Sequence, residues 1–302
     1  MQAKNICKIN IISICHLHDL GLIALSDDNG NVFVYNIETC SEHCSFSGHL
    51  GKIRSICYLG DCESLISGGD DGTLVKCNIQ TKSTQTLIPN HKDEKLSNGI
   101  RRIINTYNGE SIFFSSGAII YLFDLRINEI KKTISSLHTK KITCFSFSKG
   151  LQMLASGSED KKISLYDYNQ EEVYCNITNV HNKPVKDLMI GDIKGDDWVI
   201  SCSKLDEESG LINLFDILTK TTIKNIQITD APKKILYCFD GRTMFIIVKE
   251  GWVVLKNLNN DTEKEIQTKG VGYTCGLYLG DGKTFLNMNK EGFIEYIGIQ
   301  AK

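Results

Sequence analysis

The chain has 302 residues, with 34 Lys and Arg against 36 Asp and Glu, a net charge of −2 and 41% hydrophobic residues. That balance sets up no overall field to draw it to nucleic acid or to an anionic membrane surface, and it leaves ample apolar material for a large core. No apolar run is long enough to span a bilayer, residues Met1 to Asn5 lack the apolar stretch of a secretory leader, and several of the 12 cysteines fall inside strand-like runs such as Ile56-Cys57-Tyr58, which predicts free thiols in a reducing, cytoplasmic setting (the nucleus being open too).

Only three prolines occur, and no segment keeps an apolar rhythm of period 3.6. Short apolar runs alternate instead with Asn-Gly, Asp-Gly and Glu-Gly turns, which is the chemistry of strands joined by tight hairpins. Taken in chain order, first strands are predicted to start at Ile11, Ile53, Ile100, Ile142, Val185, Lys234 and Thr274, spaced 40 to 49 residues apart. Each is followed by a second strand, an acidic hairpin and a third strand. The third strands are Val32–Tyr35, Leu74–Cys77, Ile120–Phe123, Ile163–Tyr166, Ile212–Phe215, Trp252–Leu255 and Phe293–Tyr296. A weaker polar strand fills the gap before the next unit. The period is close to the ~40–45 residues of a four-stranded propeller blade. One blade cannot bury both of its faces, so the units must stack. The expectation is an all-β, seven-bladed β-propeller of four-stranded antiparallel blades in one domain, residues 1–302. The last unit runs out of residues after its third strand. Ala3 to Lys8 precedes the first unit without a role there, so it is predicted to supply the missing edge strand beside Phe293 to Ile299.

His49, Ser67 and Asp71 could be read as a nucleophilic triad. His138, Ser156 and Asp160 recur at the same spacings, however, and His181 with Ser201 repeats two of the three. A catalytic group is needed once, whereas a structural device recurs with the unit. On these residues the chain resembles the WD40-repeat family. The resemblance implies that His, Ser and Asp form a hydrogen-bonded network holding the hairpin to the first strand. The Trp-Asp pair that gives the family its name would end the third strands. Here those positions read Tyr35-Asn36, Cys77-Asn78, Phe123-Asp124, Tyr166-Asp167, Phe215-Asp216, Lys256-Asn257 and Ile297-Gly298, while Trp198 and Trp252 lie elsewhere. The chain therefore departs from the family pattern where the Trp would stand. The resemblance also implies a non-catalytic scaffold that docks peptides or subunits of a multiprotein complex. The alternatives are a reader of modified or basic peptides in the central channel, and an enzyme working near the axis.

Three further features invite a functional reading. Cys15, His16 and His18 close the first strand of the first unit, and Cys40, His43 and Cys44 follow its third strand. Soft sulfur and imidazole suit zinc, but the spacing matches no zinc signature, and no metal or other cofactor is expected. Lysines gather where units enter their first strands, and acids gather in the second hairpins. Propeller geometry sends both to one face, as a mixed-charge rim or as a docking surface. The docking reading is best supported by Arg101, Lys140, Lys141, Lys161, Lys162, Lys183 and Lys186, with an acidic or mixed-charge segment of another protein as the partner. Two insertions, Pro89 to Asn98 and Leu205 to Gly210, lengthen loops on that face.

Overall fold

The computed structural model describes residues 3–5, 10–60, 63–89, 96, 98–106, 109–193, 196–228 and 231–237, and beyond these the strands lying between 243 and 298. Among them every element is a strand, and the strands form seven four-stranded antiparallel sheets. No helix there is long and apolar enough to cross a membrane. The chain divides into two compact units, Met1–Ile134 with Lys269–Lys302, and Ser135–Thr268.

The first unit opens with β1 (Ala3–Asn5). Three sheets of consecutive strands follow: β2 (Ser13–Leu17), β3 (Leu22–Ser26), β4 (Asn31–Asn36) and β5 (Glu42–Ser47); then β6 (Ile53–Tyr58), β7 (Ser64–Gly69), β8 (Leu74–Asn78) and β9 (Ser83–Ile88); then β10 (Arg102–Asn105), β11 (Ser111–Ser116), β12 (Ile119–Asp124) and β13 (Glu129–Ile134). The second unit holds β14 (Ile142–Ser148), β15 (Met153–Ser158), β16 (Ile163–Asp167) and β17 (Glu172–Ile177); β18 (Val185–Ile193), β19 (Asp196–Lys204), β20 (Gly210–Asp216) and β21 (Thr221–Ile228); and β22 (Lys234–Tyr237), β23 (Thr243–Ile247), β24 (Trp252–Asn257) and β25 (Glu263–Gln267). The chain then returns to the first unit with β26 (Tyr273–Tyr278), β27 (Thr284–Asn289) and β28 (Phe293–Gly298). That last sheet has the order β1-β28-β27-β26, with Ala3 opposite Glu295 and Asn5 opposite Phe293. The predicted edge strand is thus present as Ala3–Asn5, and the rest of Ala3 to Lys8 lies outside the described residues.

Every predicted third strand is found, within one or two residues at either end. Two first strands start later than predicted, at Ser13 and Arg102 instead of Ile11 and Ile100. Ile12 N–H still bonds the Ser26 carbonyl at 2.8 Å. Ile100 N–H is taken by the Gly69 carbonyl of the preceding sheet at 2.8 Å, so the chain there serves its neighbour before it joins its own sheet.

Strand periodicity explains how the sheets bury their apolar surface. Successive side chains of a strand point to opposite faces. In β6, Ile56 and Tyr58 join one core with Leu17, Val34 and Phe46 of the preceding sheet. Cys57 and the following Leu59 join another, with Ile103, Ile112 and Phe123 of the next sheet. Leu65 and Ile66 of β7 divide between the two cores in the same way. In the second unit, Val199 and Phe215 face the core shared with β14 to β17, while Ile200 and Leu214 face the other side. Both faces of such a sheet are dry, which is why its inner strands read as near-continuous apolar runs.

A bulge recurs in the first strands. Register shifts fall between Ile53 and Ser55, between Ile142 and Cys144, and between Val185 and Asp187. Arg54, Thr143 and Lys186 are the extra residues. At or next to each bulge a side chain bonds the neighbouring sheet: Ser55 Oγ accepts from Ile103 N–H at 3.0 Å, Asp187 Oδ2 accepts from Ile235 N–H at 3.1 Å, and the bulge residue Thr143 donates from Oγ1 to the Val185 carbonyl at 2.6 Å.

Candidate functional site

The triad-like residues lie within hydrogen-bond distance of one another. In the second sheet, His49 Nε2 lies 2.9 Å from Ser67 Oγ, and Nδ1 lies 3.1 Å from Asp71 Oδ1. The Asp71 carboxylate also accepts from the N–H groups of Leu50 (2.8 Å) and Thr73 (3.1 Å), and from the Thr73 hydroxyl (2.8 Å). Burial alone would raise the Asp71 carboxyl. The bonds from His49, Leu50 and Thr73 outweigh it and hold the group well below the usual carboxylate range. The arrangement is a clamp: the residue before the first strand, the second strand and the hairpin are tied through one imidazole.

The fourth sheet repeats the clamp. His138 Nε2 is 2.9 Å from Ser156 Oγ and Nδ1 is 3.1 Å from Asp160 Oδ2, with Thr139 N–H donating to Asp160 at 3.0 Å and Lys162 N–H at 2.9 Å. Lys162 takes the place of Thr73, so this carboxylate has no hydroxyl donor. Its pKa is still lowered: burial opposes the shift, and the N–H bonds with His138 prevail. Burial pushes the His138 imidazole down, against the pull of Asp160.

In the fifth sheet the acid is absent. His181 Nε2 is 2.8 Å from Ser201 Oγ, and Nδ1 is 2.8 Å from Ser203 Oγ. Sequence reading found His181 and Ser201 but missed Ser203. Ser203 faces Val185 in the ladder, as Gly69 faces Ile53 and Ser158 faces Ile142. Leu205 then stands where the acid would. With no carboxylate beside it, burial lowers the imidazole to about 4.

The first and third sheets lack the clamp histidine. In the third, Phe114 occupies the register of Ser67 and stacks on Tyr121 at 4.9 Å, replacing a polar fastener by an aromatic pair. In the first, Asp27 is buried in its own hairpin and accepts from Asn29 N–H, Asn31 N–H and Asn31 Nδ2 at 2.7–3.0 Å. The serines of the His sets are buried to 1% exposure or less, and their histidines to 8% or less. No substrate carbonyl can reach Ser67, Ser156 or Ser201 without parting the strands.

The grouped soft ligands do not converge. Cys15 and His16 lie on β2 and His18 just beyond it, while Cys40 lies in the turn before β5, and His43 and Cys44 lie on β5. β2 and β5 are opposite edges of one four-stranded sheet, three spacings of ~4.8 Å apart. Among the described residues no three His, Cys, Asp or Glu side chains are placed to hold a metal. Cys15, His16, His18 and Asp19 instead line a cavity of about 430 Å³ with Tyr58 and Asn105 from the next two sheets.

The cations predicted to dock a partner are exposed: Arg101 in the first unit, and Lys140, Lys141, Lys161, Lys162, Lys183 and Lys186 in the second. The six lysines share one end of their sheets, where first strands begin and second hairpins turn. The Pro89 to Asn98 insertion lies mostly outside the described residues. The Leu205 to Gly210 insertion forms the β19–β20 hairpin, where Asp206 Oδ1 accepts from Ser209 N–H at 2.7 Å.

These features define a repeat protein of four-stranded sheets fastened by a His-Ser-acid clamp. Residues 40–75 and 130–167 match the family model described as WD domain, G-beta repeat, so these two stretches carry repeats of the WD40 type. The matched stretches are those that carry the complete His49 and His138 clamps. The chain is also similar to Protein ROOT INITIATION DEFECTIVE 3 of Arabidopsis thaliana, with 23% identity over 206 residues that make up 62% of this chain and 46% of that relative. It thus spans less than half the length of that relative.

Proposed function

We propose that the chain is a non-catalytic protein-interaction scaffold. In this reading the seven sheets are blades of one ring in a single domain, closed where β1 lies beside β28, and the exposed loops dock segments or subunits of other proteins. The carrying observation is the fate of the chemistry-bearing residues. His49, His138 and His181 with their serines are buried and engaged in fastening hairpins. Several thiols are equally withdrawn: burial pushes Cys77 up to about 12 and raises Cys57 and Cys202. Buried free thiols of this kind also support a reducing compartment, the cytoplasm first.

The test is affinity capture of the full chain from its source cell with cross-linking mass spectrometry. Protein partners in fixed stoichiometry, cross-linked to exposed loop residues, are the expected result. Turnover of a small-molecule substrate, abolished by one exposed-loop mutation in a fully folded variant, would overturn the reading.

A further inference from the structure

Resting on the scaffold reading, we infer that the clamp end of the second unit is a docking surface for a short acidic segment of a partner protein. The comparison of the two complete clamps leads there. In the second sheet the exposed hairpin acid, Asp70, is engaged by Arg54, which donates from Nε at 2.7 Å and pairs through its second nitrogen as well. Positive and negative charge there cancel locally. In the fourth sheet the corresponding pair is Thr143 and Glu159, by the shared register of the two bulges. Thr143 donates its hydroxyl to backbone carbonyls of Gly157 and Val185 and brings no charge.

The hairpin also gains cations. Gly72 and Thr73 of the second sheet are replaced by Lys161 and Lys162, both exposed. The nearest acid, Asp160, is turned inward: its oxygens accept from His138, Thr139 N–H and Lys162 N–H. Its side chain is 5% exposed. Lys140 and Lys141 stand on the other side of the clamp, their backbone carbonyls bound by Ser158 Oγ and Glu159 N–H. The adjacent sheet adds Lys183 and Lys186, the latter being the bulge residue next to Val185, whose carbonyl Thr143 holds. Six exposed lysines thus face solvent on two adjoining strand ends, with Glu159 as the exposed acid among them. Among the described residues none of the six makes an ion pair. Like charges held together on rigid strand ends repel one another, and an acidic ligand relieves that repulsion while making charge-assisted bonds.

The surroundings argue for a short protein segment over a long polyanion or a bilayer. The β19–β20 hairpin of the same unit carries Asp206, Glu207 and Glu208 at the same end, exposed. That acidic wall repels a continuous phosphate backbone and lets an acidic segment of limited length settle beside it. Among the described residues no aromatic side chain interleaves with the lysines to stack bases. Among the described residues of the unit, the large exposed apolar side chains, Leu218 and Ile223, lie at the β20–β21 end, away from the clamps, where they cannot help the lysines enter a membrane.

The test is fluorescence anisotropy with the full chain and three probes: a short Glu-rich peptide, a single-stranded RNA of equal charge, and vesicles containing anionic lipid. The expected order is peptide tightest, with affinity falling as salt rises. The K140E/K141E/K161E/K162E variant should weaken the peptide by about tenfold or more, while a control reversal of as many exposed lysines in the first unit leaves it within about twofold. Circular dichroism melts of both variants check that each is folded. Tighter binding to RNA or vesicles, or equal losses in the two variants, overturns the assignment. So does a set of partner cross-links confined to the first unit, which would leave the scaffold reading standing.

Discussion

Ser203 Oγ stands 2.8 Å from Nδ1 of His181, on the side of the ring where His49 and His138 meet a carboxylate. The Ser203 hydroxyl also donates to the Lys204 carbonyl at 3.0 Å. It therefore accepts from Nδ1–H, and Ser201 donates to Nε2. Two hydroxyls satisfy a neutral imidazole. They do not compensate a charged one in a dry site, so the clamp of the fifth sheet works with its proton on one nitrogen.

A pH dependence follows. The unfolded chain takes up a proton on His181 near pH 6.5, and the folded chain resists it until about pH 4. Between those values the unfolded state binds more protons, so stability is complete above the upper one and falls as pH drops toward the lower. The His181 contribution at full shift is about 3 kcal/mol. Urea midpoints measured from pH 7.5 to 4.5 should decline for the wild type and decline less for H181Q. A parallel decline in both would remove His181 as the cause. The lowered carboxyls of Asp71 and Asp160 add a further loss below the ordinary carboxylate range.

His138→Ala should cost about 1–3 kcal/mol by leaving Asp160 and Ser156 without their ring partner. A double-mutant cycle with D160A should show coupling of at least about 0.5 kcal/mol, since the two groups touch at 3.1 Å. An unchanged melting temperature accompanied by loss of a measured activity would count against the structural role.

Two glycines in left-handed backbone separate conformation from crowding. Gly21 has φ of +63° and open space around a Cβ. Gly30 has φ of +89°, and its Cβ would strike the His49 carbonyl. Gly21→Ala should cost about 1–2 kcal/mol from backbone strain alone. Gly30→Ala should cost more, about 2–4 kcal/mol, because the loop bearing His49 must also move. Equal costs in thermal melts would show that this loop yields freely.

Removing residues 1–8 should destabilise the chain well beyond the loss of a frayed end. β28 would keep β27 on one side and expose its other edge, a row of unpaired amides. Hydrogen exchange offers the direct check. Amides of residues 3–5 should be protected in the intact chain, and those of 293–295 should lose protection in the truncated one.

The clamps of the second and fourth sheets were legible because the device is local and repetitive: a His four residues before a first strand, with the Ser and Asp at fixed distances behind it. The fifth sheet was half legible. From Val185 to its ladder partner Ser203 the chain takes two residues more than from Ile53 to Gly69, so the serine moves to a new spacing, and a hydroxyl gives no charge signal where an acid was sought. Thr73 was missed for the same reason. The third sheet showed no motif because Phe114 and Tyr121 do by stacking what the others do by hydrogen bonds, and stacked aromatics look like any core strand. Cys15 and Cys40 were grouped by their connections, while the width of the sheet between them does not register in a linear reading.

The split of β6 between two cores has a consequence for how this sequence can change over time. Ile56 and Tyr58 serve one interior, and Cys57 and Leu59 the other. Inserting or deleting a single residue within the strand would exchange the two sets, putting the wrong volumes into both interiors at once. Substitutions there are judged by two neighbours, and length changes are close to forbidden. Gaps in an alignment of related chains should therefore gather in the connections and avoid inner strands, which would let the strand boundaries of distant relatives be drawn from where their lengths differ.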